Sequence, residues 1–292
     1  MLFRLYKIGI FIALNTPLRI AYAISVFFSS IFRFFLKKDR IAVKENLRII
    51  FPGYDDKTID HLAKEMFHNF GKYLVDFFRF SIIDKDYIDK YIKVNGVEHL
   101  KEALSLNKGA ILASAHLGNW ELGAAVVAGL GFPIDVVALN HDDEEINNFF
   151  ISQRKSQGVG VIPVGMAVRR CFKALSENRS IALVSDRDYY DNGLELEFFG
   201  KKTIIPKGPA LFSRRCGSPI VPVLMVRNAD DTFTLNIRKP IIVEHTEDEH
   251  QDLMRTTARI VKVLEEEILQ YPSQWYVFRR FWEKLGWGKN NK

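Results

Sequence analysis

Cysteine is nearly missing from this chain. Cys171 and Cys216 are the only two in 292 residues, and no CxxC spacing occurs. A disulfide scaffold and a thiolate zinc site are both poorly served by that pair, which reads as reduced thiols in a cytosol-facing protein. Long charge-free runs are missing too. Residues 8–35 are mostly apolar, but Arg19 and Arg33 interrupt them and Asn15-Thr16-Pro17 breaks their first part. The longest clean run, residues 20–32, holds 13 residues, whereas crossing a bilayer core takes about 20. No small-residue cleavage site follows a short apolar core, so a secretory leader is not expected. There is no GxSxG elbow of the serine hydrolases, no recognised nucleic-acid motif, and no internal repeat or low-complexity linker.

What is present is a folding composition, with 48% hydrophobic and 26% charged residues, which argues against disorder. Acidic residues number 35 against 41 Lys and Arg, a net charge of +6. That balance suits an anionic membrane, a phosphorylated ligand or a nucleic acid without choosing among them. Phenylalanine is abundant, at 23 residues. Phe27, Phe28, Phe32, Phe34 and Phe35 sit beside Arg33, Lys37, Lys38 and Arg40, as in an interfacial helix with aromatics in the acyl region and cations at lipid phosphates. A buried helix, or one tilted span with snorkelling arginines, is the alternative. Residues 1–38 are therefore read as an apolar membrane-associating segment and 39–292 as one folded domain.

The periodicity predicts helices over 39–51 and 56–80, the second with Leu62, Met66, Phe70, Tyr73, Leu74 and Phe77 at helical spacing. After Asn95-Gly96 short apolar runs alternate with helical stretches. Strands are expected at 109–113, 134–139, 159–163 and 181–185, with helices at 119–130, 144–157 and 167–177 between them. That alternation predicts an α/β fold, a mostly parallel central sheet flanked by helices. Further strands are expected at 194–199, 220–226 and 233–237, then a helix over 248–270.

The most informative stretch is Ser114-Ala115-His116-Leu117-Gly118-Asn119-Trp120-Glu121. A buried strand ends at a histidine, a glycine-containing turn follows, and a helix begins with a carboxylate. Ligands bind at strand ends in open α/β sheets. Imidazole placed there can take a proton from a hydroxyl near neutral pH, and the carboxylate can hold its other ring nitrogen. Gly118 would let backbone approach a ligand closely. The same residues also suit a satisfied structural histidine and an ordinary first helical turn.

The His-x4-Glu block resembles the signature of the bacterial lipid A late acyltransferases, whose relatives, the phosphatidylinositol mannoside acyltransferases, carry a similar one. Three more blocks match in order: Asp186-Arg187-Asp188 with the 193–200 stretch; 206–210 with 217–222 and Arg227; and 271–275 with Arg279-Arg280-Phe281-Trp282. Glu45-Asn46-Leu47 and Phe51-Pro52 match too, so the resemblance spans nearly the whole chain. It implies a single α/β acyltransferase domain, His116 as general base and Glu121 as its orienting partner. It also implies Arg154 near the active site and Glu195, or Glu197 on the same strand face, as a second acidic contact. Two departures bear on the acceptor. Many lipid A enzymes have Asp-Gln-Asp where this chain has Asp186-Arg187-Asp188, and a histidine where Phe278 stands.

Asn119, Arg154, Asp186, Arg187, Asp188, Lys207 and Gly208 form the candidate substrate-contacting set, Asp186 and Asp188 as loop organisers or headgroup contacts. Lys207-Gly208 would open a helix able to hold a phosphate, or simply start one. No metal and no cofactor is expected. The resemblance implies acyl-carrier protein or coenzyme A as thioester donor and a membrane glycolipid hydroxyl as acceptor, most often a Kdo-bearing lipid A precursor. Backbone amides near Gly118, or Arg154, are the expected oxyanion donors. The implied location is the bacterial inner membrane, with the site facing the cytoplasm. The rivals are a hydrolase using Ser114 and a membrane or nucleic-acid-binding protein without catalysis.

Overall fold

The computed structural model describes residues 2–188 and 192–283. Residue 1, residues 189–191 and residues 284–292, the last nine of the expected 39–292 domain, lie outside the described residues. Pro17 lacks the amide a continuing helix needs, so the apolar segment forms two helices, α1 (Leu2–Asn15) and α2 (Leu18–Phe35). Then come α3 (Lys37–Ile50) and α4 (Asp56–Phe78), the latter capped where the Asp55 side chain accepts from the Thr58 amide at 2.7 Å. Helix α2 lies against α4 at Gly71, where a Cβ would come within 2.2 Å of Ser29 Oγ. Only Ala21 and Tyr22 of α2 are buried, whereas Phe27, Phe28, Phe32, Phe34 and Phe35 are exposed. By length and composition α2 is a candidate membrane span.

The remaining elements are α5 (Lys85–Tyr91), β1 (Ile92–Asn95), α6 (Val97–Ser105), β2 (Ala110–Ser114), α7 (Trp120–Gly129), β3 (Ile134–Ala138), α8 (Glu144–Ser156), β4 (Gly160–Pro163), α9 (Ala167–Ser176), β5 (Ser180–Val184), β6 (Leu194–Phe198), β7 (Lys201–Ile205), α10 (Gly208–Cys216), β8 (Ile220–Arg227), β9 (Phe233–Ile237) and α11 (Glu249–Gln270). Seven strands form one sheet in the order β1-β9-β8-β2-β5-β3-β4, parallel at every junction except β8–β9. The fold is thus the expected α/β class with a mostly parallel sheet. Central β8 is buried along all its length, while β9 alternates buried and half-buried residues, as a two-sided and a more peripheral strand should.

Two features add to the expected pattern. The 194–199 strand pairs with β7 in an antiparallel hairpin separate from the main sheet. The segment between α4 and β2, left without elements by the periodicity, holds α5, α6 and the edge strand β1, which are too short to carry a clear period. Apolar side chains of α1, α2, α4, α7 and α8 cover one face of the sheet. Those of α9, α10 and α11, with Trp275 and Phe281, cover the other.

Candidate active site

Strands β2 and β5 are parallel neighbours, with Ser114 opposite Val184. Parallel pairing keeps that register beyond the last paired residues, where the Ser185 amide still donates to Ser114 O at 2.8 Å. His116 and Asp186 each lie two residues past the matched pair and meet: Nδ1 and Asp186 Oδ1 are 2.8 Å apart. The other carboxylate oxygen, Oδ2, accepts from the Trp275 indole N–H at 2.9 Å. Asp186 and Trp275 are buried, whereas the His116 side chain keeps 18% exposure. With Nδ1 occupied, Nε2 has no protein partner among the described residues. Trp120 walls the ring edge-on at 5.1 Å between centroids.

Burial lowers the His116 pKa from its ordinary value, and the neighbouring Arg187 charge lowers it further, against the opposing pull of Asp186. The imidazole is therefore neutral at pH 7. Burial alone would raise the Asp186 carboxyl, but His116, Arg187 and the Trp275 N–H more than offset it and hold the group well below the usual carboxylate range. An anionic Asp186 accepting from Nδ1–H leaves the lone pair on Nε2. A neutral histidine in that tautomer, backed by a buried carboxylate, is chemically able to accept a proton at Nε2.

Glu121 does not take the orienting place expected of it. Its carboxylate is gripped by Arg154 through two hydrogen bonds, Nε to Oε2 at 2.9 Å and an outer nitrogen to Oε1 at 2.6 Å, with both side chains buried. Successive helical residues point about 100° apart. Trp120 faces the imidazole, so Glu121 turns toward α8 and Arg154. Burial would depress the guanidinium, and Glu121 more than offsets it, so Arg154 stays charged.

Two amides of the turn are already taken. Gly118 has φ +61°, and what it approaches is β8, where a Cβ would meet Met225 O at 1.9 Å. The Gly118 amide donates to Gln274 O at 2.9 Å and the Asn119 amide to Met225 O at 2.8 Å, so neither is free to hold an oxyanion. Asn119 caps α7, accepting from the Leu122 amide at 3.0 Å, and it is 1% exposed. Asp188 accepts from the Asn192 amide at 3.1 Å and from Gly193, shaping the turn into β6. Glu195 lies on the hairpin, exposed and 3.1 Å from Lys202 Nζ, with no hydrogen bond to His116.

A cleft of about 230 Å³ is lined among others by Asp186, Arg187, Asp188, Glu195, Lys202 and Arg279, and His116 is not among its lining residues. The Nε–H of Arg187 is buried and has no hydrogen-bond acceptor among the described residues, although Asp186 Oδ2 is 3.8 Å away. Lys207 and Gly208 open α10 and do not line this cleft. Phe278 packs on Phe67 and Phe70, each at 5.0 Å, in the apolar cluster between α3 and α4. The contact of Asp186 with His116 thus shows only once β2 and β5 are paired.

Residues 1–284 match the family model described as bacterial lipid A biosynthesis acyltransferase. The chain is 28% identical over 228 residues to a phosphatidylinositol mannoside acyltransferase of Mycolicibacterium smegmatis, covering 76% of this chain and 73% of that one. It is 31% identical over 169 residues to the protein of the same description in Mycobacterium tuberculosis H37Rv, covering 56% and 54%. It is 26% identical over 251 residues to the lipid A biosynthesis palmitoleoyltransferase of Escherichia coli K12, covering 85% and 80%.

Proposed function

The chain belongs to the bacterial lipid A biosynthesis acyltransferase family, and from that premise we propose that it moves a fatty acyl group from a carrier thioester to a hydroxyl of a membrane glycolipid, with His116 as general base. The observation that carries this reading is the pairing of His116 Nδ1 with the buried Asp186 carboxylate, on a ring that keeps 18% exposure. The acceptor hydroxyl gives its proton to Nε2 as its oxygen attacks the thioester carbonyl. The tetrahedral adduct then collapses, the C–S bond breaks, and the imidazolium returns the proton to the departing thiolate. Asp186 stabilises the imidazolium in between. No acyl-enzyme is required, because holding both substrates together supplies the proximity.

Acyl-carrier protein or coenzyme A serves as donor in this scheme. The acceptor headgroup occupies the cleft beside Arg187, whose mixture of cations and carboxylates suits a sugar bearing an anionic group. A Kdo-bearing lipid A precursor is the first candidate. A mannosylated phosphatidylinositol is the second, favoured by Arg187 within Asp186-Arg187-Asp188 and by relatives of that description. The exposed phenylalanines of α2 dock in the inner membrane, with the site on its cytoplasmic side.

The test is lipid mass spectrometry of a host lacking its own late acyltransferases and expressing either this protein or His116→Ala. Gain of one acyl chain on lipid A with the native protein alone is the expected result. Gain on another glycolipid would move the acceptor to the second candidate. If neither that host's lipids nor purified candidate glycolipids gain an acyl chain with folded protein, the reading fails.

A further inference from the structure

The mechanism leaves a second buried carboxylate unused. Asp76, on α4, is 2% exposed and joins three separate parts of the molecule. One oxygen accepts from the hydroxyl of Tyr22 on α2. The other accepts from Asn119 Nδ2 at 3.0 Å and from the guanidinium of Arg227 at the end of β8. Arg227 lies between the rings of Tyr22 and Phe233, at 4.8 and 4.6 Å. It also sits 3.4 Å from Asp231, which Lys72 holds at 2.7 Å, so two carboxylates face two cations. The Arg227 backbone amide and carbonyl are clamped by the Gln274 side chain, each at 2.8 Å, and Gln274 O receives the Gly118 amide.

Asn119 brings the His116 turn into direct side-chain contact with Asp76. Its Oδ1 caps α7 and its Nδ2 is held by Asp76, so the carboxylate fixes the rotamer that makes the cap. The first residue of the capped helix, Trp120, forms the wall of the imidazole. Tyr22 is one of only two buried side chains on α2, whose other face is exposed phenylalanine. A chain of hydrogen bonds therefore runs from the apolar helix to the catalytic turn without a gap.

We propose that Asp76 is a positioning residue that fastens α2 to the turn carrying His116, so that the seating of the apolar helix sets the orientation of the base. The kinetic part of this claim rests on the acyltransferase reading; the mechanical part does not. Both are tested with the full chain in phosphatidylethanolamine–phosphatidylglycerol vesicles. Hydrogen exchange by mass spectrometry is read on peptides covering residues 18–35 and 115–125, for native protein, Tyr22→Phe and Asp76→Asn.

Tyr22→Phe should speed exchange at 115–125 roughly fivefold, the fold-change one lost hydrogen bond carries, and Asp76→Asn more. In acyl transfer, kcat should fall while KM for donor and acceptor stays within about twofold, since substrate contacts are untouched. Faster exchange at 18–35 with 115–125 unchanged would reduce Asp76 to a structural contact and overturn the proposal. If Asp76→Asn does not fold, Tyr22→Phe decides, as it removes one hydroxyl and no charge. If the native protein transfers no acyl group to any candidate lipid, the acyltransferase reading falls, and the exchange at 115–125 still decides this one.

Discussion

Two carboxylate pairs sit on either side of the same turn, and they differ in one respect. Asp186 faces an imidazole that can gain and lose a proton, and Glu121 faces a guanidinium that cannot. Both carboxylates are buried, both are doubly hydrogen-bonded, and both end up opposite a cation or a cation in waiting. The first pair is suited to chemistry because its charge state can change during a turnover. The second is suited to holding α7 against α8, because removing either member strands a buried charge. A carboxylate at the right distance in sequence is therefore not yet the partner of a base. What decides is the side-chain direction, which at Glu121 points away from the ring.

Substitutions can break this comparison. His116→Ala should lower kcat by about a thousandfold, the usual scale of a general base, with the melting temperature little changed, as measured by acyl transfer and calorimetry on the same preparation. Asp186→Asn should cost on the order of a hundredfold or more, because the ring loses the anion that selects its tautomer. Glu121→Gln should instead act on stability, by about 3–5 kcal/mol for a guanidinium left buried without its anion, read as a fall in the urea midpoint. Equal thermal losses in Asp186→Asn and Glu121→Gln, with equal kinetic losses, would erase the distinction.

Two smaller effects sharpen it. The activity of the native enzyme should rise with pH through a pKa below the ordinary histidine value, since the depressed His116 becomes a base only on losing its proton. Arg187→Gln removes the charge that helps depress it, so the acidic limb of the pH–rate profile should move to higher pH. An unmoved limb would mean that burial alone tunes the ring. Phe27→Ser with Phe32→Ser should shift the protein from vesicles to supernatant in a flotation assay while leaving the melting temperature of the folded domain near native.

The sequence was legible where the signals are local. The apolar run ending in His116, the helix after it and the βα alternation all follow from short-range pattern, as does the break at Pro17. Asp186 was visible as a residue but not as the partner of His116. That role depends on β5 pairing directly beside β2 in a register that brings residues 70 positions apart together, and no local spacing records such a pairing. Glu121 shows the converse: five residues in sequence suggest contact with the ring, but the helical rotation from Trp120 carries its side chain toward Arg154. Glu195, expected near His116 from the resemblance alone, lies instead on the β6–β7 hairpin beside Lys202. A glycine at 118 suggests room for a ligand, but the carbonyl it accommodates belongs to β8.

The most direct test of the central claim is the 15N spectrum of His116 in protein labelled at its histidines, recorded near pH 7.5 for the native chain, Asp186→Asn and Glu121→Gln. The account predicts a neutral ring protonated at Nδ1 with a bare Nε2 in the native protein and in folded Glu121→Gln, and loss of that tautomer in Asp186→Asn. A ring protonated at Nε2 in the native protein, or a tautomer that changes with Glu121 and not with Asp186, would contradict it.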